Sequence, residues 1–316
     1  MKISGQKQGL LHGTKDIARV WRRRLIRIFI YLFILGVSFV YIYPYLFIII
    51  TSLKDKADLG DVTVMWFPKK LHWQNYQVAW EVLKYFQSFL NSTIVTVGAT
   101  LGHLLSCSFI AYGFARYKFP LRKFFFTFVI LSFMVPIQSY ILPLYIQYGS
   151  LKMLNTYYPF ILPAFLGFGL RGGLFIFLFH QFFLGFPPSL EEASRIDGCT
   201  FIGTYFRIFF PNIKTPLLTC GILSMVWHWN DYFEPTLYLD KVEQFLLPQK
   251  LPALYDLIEK AQKGTLSSDA SSKLALLFND AVVMAATLLC LLPVLIVYLF
   301  LQKKFMTGIE RTGLVE

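Results

Sequence analysis

Six stretches of the chain, at about 26–50, 86–115, 124–148, 157–182, 215–239 and 281–301, run for roughly twenty residues or more with very little charge. A helix rises about 1.5 Å per residue, so each can cross a hydrocarbon core of about 30 Å, some with tilt. In lipid a crossing segment must satisfy its own backbone N–H and C=O groups, which calls for helices. The pattern therefore predicts an all-α integral membrane protein with six transmembrane helices. The charged fraction agrees, at 15% of residues against about 25% in water-soluble domains. The first apolar run is too long for a signal peptide and no small-residue cleavage site follows it, so it reads as a retained span.

Lys and Arg assign the sides. The N-terminal segment carries eight, the loop at 116–123 four, the loop at 187–214 three and the C-terminal segment three, while the loops between them on the other side carry eleven in all. This bias predicts that both termini and the loop 187–214 are cytoplasmic. The expected organisation is a basic tail at 1–25, a six-helix transmembrane domain at 26–302 and a tail at 303–316. Within the domain, a polar outer loop at 240–280 contains "EKAQKGTLSSDASSK" (259–273). The net charge of +12 follows from this sidedness; no basic face patterned for nucleic acid is present. Cys107, Cys199, Cys220 and Cys290 show neither metal-ligand nor redox spacing and are assigned to packing.

The cytoplasmic loop holds "EEASRIDGCTFIGTYFRIFFP" (191–211). Pro187 and Pro188 end the preceding span. Ser189 with Glu192 has capping-box spacing, which predicts a short helix from Leu190. Glu191 and Glu192 suit its positive end, Arg195 its negative end, and Gly198 its termination with positive φ. A second helical stretch carries Phe201, Ile202, Tyr205, Phe206, Phe209 and Phe210 and ends at Pro211. Local physics leaves two readings open: an amphipathic re-entrant helix among headgroups, or a knob docked in the groove of a cytoplasmic partner.

The segment resembles the cytoplasmic signature of binding-protein-dependent ABC importer permeases: Glu-Ala-Ala, three residues, Gly, nine residues, Ile-x-Leu-Pro. Here the positions are Glu192, Ala193, Ser194, Gly198, Ile208, Phe210 and Pro211, with Ser194 and Phe210 replacing alanine and leucine. "NSTIVT" (91–96), "AYGFARYKFP" (111–120), "MVPIQSYILPLYIQY" (134–148), "LNTYYPFILP" (154–163) and "WNDYFEPTLYL" (229–239) are similar to carbohydrate-type members, and the whole is similar to a maltose-type second permease subunit. The resemblance implies a type I ABC importer permease fold in the plasma (inner) membrane of a prokaryote and a sugar substrate. It also implies as partners a second permease, two ABC ATPase subunits and an extracellular binding protein. Glu192, Ala193, Ser194, Gly198, Ile208 and Pro211 would then contact or support an ATPase subunit, with Asp197 a neighbouring contact. The chain has no Gly-x-x-x-x-Gly-Lys-Ser/Thr phosphate cradle, so ATP and Mg are expected on the partner ATPase, with no catalytic residue, cofactor or metal in this chain.

"GFGLRG" (167–172) falls inside an apolar run with no strand before it, which excludes a dinucleotide site and favours close helix packing. Arg171, placed near the middle of the fourth span, is the costliest residue for a membrane to hold. It could line a pathway, meet the partner permease, or bond carbonyls freed around Gly169, Gly172 and Gly173. No carboxylate is expected at its depth, because Asp231, Glu234 and Asp280 read as span-end residues. An ion-gradient-driven transporter, the rival class, would need such carboxylates. His103 and His228 read as satisfied packing groups. Trp227, Trp229, Tyr232 and Tyr238 suit an interfacial aromatic belt, with Trp229 and Asn230 as pathway or partner-permease candidates.

Overall fold

The computed structural model describes residues 4–169, 171–262 and 279–313; residues 263–273 of the low-complexity stretch lie outside them. Among the described residues all regular structure is helical. The chain divides into two units, residues 1–72 and 73–316.

The first unit is the helix α1 (Ser4–Ser52) followed by a self-tied loop. The apolar part of α1, Trp21–Ser52, is long enough to cross a membrane. Its Leu, Ile, Phe and Tyr side chains are exposed nearly all round, as suits a helix facing lipid or a partner. After it, Asp55 caps the short α2 (Lys56–Gly60) by accepting from Asp58 N–H at 2.7 Å. The Asp58 carboxylate accepts from Lys69 N–H at 2.9 Å, and Lys54 Nζ donates to the Val64 and Met65 carbonyls. Local side-chain bonds thus replace the ladder that a loop lacks.

The second unit is built around α4 (Tyr85–Arg116), reached from α3 (Gln74–Leu83) through Lys84 in the left-handed region. Next come α5 (Arg122–Met134), α6 (Ile141–Ser150), α7 (Tyr158–Phe165) and α8 (Gly172–Leu184). The transverse pair α9 (Ser189–Ile196) and α10 (Phe201–Asn212) follows. The unit closes with α11 (Lys214–Asn230), α12 (Phe233–Tyr238), α13 (Leu247–Gln262) and α14 (Asp280–Gly313). Helices α7, α8 and α11 pack on α4. The α4–α7 seam depends on small residues: a Cβ at Gly102 would sit 2.9 Å from the Phe165 nitrogen, and one at Gly98 would press on Ile161. One turn on, Ser106 Oγ donates to the Ala164 carbonyl at 2.6 Å. Backbones can approach this closely only where side chains are absent or small.

Three of the six expected spans are not single helices. The run 124–148 breaks between α5 and α6, where Pro136 forces Val135 into extended backbone. The run 157–182 breaks between α7 and α8, where Gly167, Gly169 and Arg171 all have positive φ. The run 215–239 breaks at Asp231: Pro235 has no N–H to return to the Asp231 carbonyl, and Asp231 Oδ1 instead accepts from the Phe233 and Glu234 N–H groups. Only Trp21–Ser52, Tyr85–Arg116 and Asp280–Lys303 are single described helices that are long and apolar enough to span. "GFGLRG" is accordingly a break followed by a packing point rather than a helix face. A Cβ at Gly173 would lie 2.7 Å from both Val129 O and Ser132 Oγ on α5.

Helices α3, α13 and α14 form a second packed region around Ala79, Leu83, Leu247, Leu254 and Val282. There Lys250 on α13 is buried and donates to the Leu83 carbonyl at 2.8 Å. Burial, and then the charge of Lys84, lower its pKa from 10.5 to about 8, partly opposed by Glu243. Below pH 8 the ammonium is charged in the folded and unfolded chains alike, and its burial penalty is present in full. Between about 8 and 10.5 the folded form releases a proton that the unfolded form keeps, so stability rises with pH across that window and levels off above it. Hydrogen exchange of α13 should therefore slow, relative to the chemical rate, as pH climbs through the window. The increment should vanish in Lys250→Met.

Candidate functional site

The loop between α8 and α11 is two short helices laid across the bundle. Helix α8 turns by 83° into α9, and α10 turns by 79° into α11. Pro187 and Pro188 make the first corner. Helix α9 begins at Ser189 without a side-chain cap, so the expected capping box is not formed. Glu192 is instead exposed on the outer face, while Glu191 is buried. The C-terminus ends as anticipated: Gly198 has φ +73°, with Cys199 N–H on Ser194 O at 2.9 Å and Gly198 N–H on Arg195 O at 3.1 Å, a Schellman pair. Thr200 then caps α10 by accepting from Gly203 N–H at 3.2 Å. A π turn at Tyr205–Phe209 runs up to Pro211.

What holds this pair rigid is Arg116, at the end of α4. Its Nε donates to Glu191 Oε2 at 3.2 Å, both side chains being about nine-tenths buried. Nη1 donates to Phe186 O at 2.9 Å, and the guanidinium lies 5.5 Å from the Phe209 ring centre. Beneath α10, Tyr112 meets Phe201, Tyr205 and Phe209 with ring centres at 5.1, 5.3 and 4.9 Å, and Tyr205 Oη bonds to Ser108 Oγ at 2.7 Å. Ser194 is fully buried, bonding to Thr204 Oγ1 at 3.1 Å. It ties α9 to α10 and has no surface to offer a partner. Ile208 is half-buried against the same aromatic core. Glu192, Ala193, Asp197, Gly198 and Pro211 are exposed, together with Ile196, Ile202 and Phe206. The aromatic face of α10 is thus covered by protein rather than laid on a membrane surface.

The three helix breaks meet around a second feature. The first two breaks line a cavity of about 350 Å³ bounded by Pro136, Gln138, Tyr140, Phe168 and Arg171. Arg171 stands in the break, not within a span helix, with φ 63°. Among the described residues no carbonyl receives its guanidinium, which lies 5.4 Å from the Trp227 ring centre in cation–π geometry. A notch of about 20 Å³ adjoins the cavity through Ile137, Tyr140, Phe168 and Gly169, and is walled on its far side by His228, Asp231 and Glu234. Carboxylates therefore do reach this level of the fold, contrary to the sequence expectation, because the break at 231 turns them inward. His103 Nε2–H donates to the Phe168 carbonyl at 3.3 Å, and His228 Nδ1–H donates to Ser224 O at 2.8 Å. The first of these satisfies backbone that the break leaves open. Trp229 is buried against Phe89, its indole N–H on Cys290 O at 3.0 Å, and Tyr238 is buried beside Tyr148. Neither belongs to an interfacial belt. Asn230 is exposed and donates to Val226 O.

The sequence profile of the family described as binding-protein-dependent transport system inner membrane component matches residues 105–311. This chain belongs to that family. It is similar to the arabinooligosaccharides transport system permease protein AraQ of Bacillus subtilis, with 30% identity over 91% of this chain and 95% of the relative. It is also similar to the melibiose/raffinose/stachyose import permease protein MelC of the same organism, with 31% identity over 84% and 89% of the two chains. A crystal structure of a bacterial ABC transporter involved in the import of the acidic polysaccharide alginate contains a chain of the same fold. The TM-score is 0.73 at 22% identity, covering 89% of this chain and 97% of that one.

In this inner-membrane permease the signature segment was legible in sequence, but its anchor was not. Arg116 lies in "AYGFARYKFP" and reads there as one more orientation charge; nothing in the spacing pairs it with Glu191, 75 residues on. The Glu234–Asp231 notch was hidden for a like reason, since a residue near the end of an apolar run looks interfacial until the run is seen to break.

Arg116→Gln should lower the stability of the permease by about 3 kcal/mol, because it leaves the Glu191 charge buried without its main partner. Thermal unfolding in detergent measures it, and adding Glu191→Gln to the variant should restore part of the loss. At Gly198 no atom lies within 4 Å of a would-be Cβ, so the cost of substitution is conformational alone. Gly198→Ala should lose about 1 kcal/mol in the same assay, and Gly198→Asn distinctly less.

Proposed function

We propose that the chain is one of two permease subunits of an ATP-driven importer of sugars or oligosaccharides, and that α9 and α10 engage an ATPase subunit. In this reading six passes cross the membrane: α1, α4, α5 with α6, α7 with α8, α11 with α12, and α14. Both termini and the α9–α10 pair are cytoplasmic. A second permease completes the pathway, two ATPase subunits supply the energy with ATP and Mg bound to them, and an extracellular binding protein delivers substrate. The relatives' arabinooligosaccharide, melibiose and raffinose transport supports the sugar class.

The observation that carries the reading is the build of the transverse pair. Its underside is locked to α4 by Arg116 and the Tyr112 aromatic group, while its outer face mixes apolar Ile196, Ile202 and Phe206 with Glu192 and Asp197. A part gripped on one side and open on the other can pass a partner's displacement into the bundle. The partner shifts the permease between access states only through contacts that differ between them. The permease itself performs no bond chemistry.

The test is co-purification of the complex with its ATPase, wild type against Gly198→Arg, with Gly198→Ala as the control for backbone strain. Arginine should abolish capture at unchanged membrane levels, and alanine should retain it. Uptake of the transported sugar should then stop on ATP depletion and survive collapse of the ion gradients. Failure of the wild-type chain to capture any ATPase, or uptake that follows the gradients, would remove the proposal.

A further inference from the structure

Glu234 is a carboxylate of the notch whose Oε1 the fold leaves unsatisfied. It is nine-tenths buried, it lines the notch, and its Oε1 has no hydrogen-bond partner. An unpaired buried carboxylate is costly to stability, so its retention calls for a ligand that completes it. The neighbouring Asp231 has already committed Oδ1 to two backbone N–H groups. The notch is of a size for a single water-like group, and it adjoins a cavity within the usual range of small-ligand sites. Its walls include the rings of Tyr140, Tyr148, Phe160 and Phe168, with His228 beside the two carboxylates.

We propose that the cavity and its notch form a substrate subsite in which one hydroxyl of a neutral sugar residue enters the notch and donates its hydrogen to Glu234, while the ring lies in the adjoining cavity with its C–H faces toward Tyr140 and Phe168. The proposal rests on the permease reading above and adds the position of the site and the charge class of its ligand. An anionic sugar fits poorly, because its charge would face Glu234 and Asp231 together. Arg171, the cation of the adjoining cavity, is already stacked on Trp227. A hard metal cation fits poorly too, since it needs about six oxygen ligands and only two carboxylates, Asp231 and Glu234, are among the described residues lining the notch.

The experiment is equilibrium dialysis of the assembled complex, without its binding protein, against labelled maltotriose, raffinose and arabinotriose as neutral probes and trigalacturonate as the acidic one. At least one neutral trisaccharide should bind the wild type, and trigalacturonate should bind at least about tenfold more weakly than that sugar. Glu234→Gln should weaken the neutral sugar by about tenfold, the scale of one charge-assisted hydrogen bond. Its thermal unfolding without sugar should be unchanged or raised, whereas a purely structural glutamate would lower it. The proposal is overturned by no neutral probe binding, by preference for trigalacturonate, by affinity unchanged in Glu234→Gln, or by binding that requires sodium. ATP hydrolysis stimulated by the binding protein is read on the same preparation. If it persists when the sugar result fails, the subsite alone is lost; if it is absent, the importer reading fails independently.

Discussion

A peptide group inside a bilayer that is not bonded within its helix must find another partner or face a cavity. This chain breaks its helices at three places, between α5 and α6, between α7 and α8 and between α11 and α12, and the architecture of the second unit keeps them together. Gathered against one another they line one cavity and its notch, and His103 supplies a donor to the Phe168 carbonyl. The close α4–α7 seam at Gly98 and Gly102 brings the second break into reach of α4, which carries that histidine.

The same breaks set the mechanics. Helix α8 runs from the Arg171 break to the 83° corner, and α11 runs from the 79° corner to the Asp231 break. These are rods of about 20 and 25 Å at 1.5 Å per residue, each joining one wall of the cavity to one helix of the transverse loop. Helices α8 and α11 thus connect α9 and α10 to the breaks around the cavity and notch. Arg116 and the Tyr112 rings make that connection stiff, because they lock the pair to the end of α4 through bonds that water does not reach. The buried ion pair is better understood as a fixer of geometry than as a source of net stability, given how much desolvation offsets its attraction.

The polar groups divide by what the backbone has already used. Ser194, Thr200, Tyr205 and Asp231 are committed to caps and cross-ties, and their roles end inside the fold. Glu192 and Asp197 are left on an exposed face, and Glu234 is left unsatisfied in a notch. Residues of the same chemical type, a few positions apart, differ in function because local hydrogen bonding removes some of them from play.

By itself the sequence determined the all-helical class, because runs of twenty apolar residues admit no other solution in lipid. It determined the helix end at Gly198, because a positive φ is a local property of a glycine. The spacing from Glu192 to Pro211 pointed to the family whose profile matches residues 105–311. Hydropathy could not show that half of the expected spans are broken: Pro136, Gly167 and Pro235 sit in runs whose mean apolarity hides them, and a proline or glycine in such a run is compatible with a mere kink. The pairing of Arg116 with Glu191, the inward turn of Ser194, and the placing of Arg171 in a cavity with His228 and Glu234 in the notch beside it were decided only by tertiary structure. Each depends on which helices become neighbours, and that is settled by packing between segments far apart in the chain, where no local spacing carries the information.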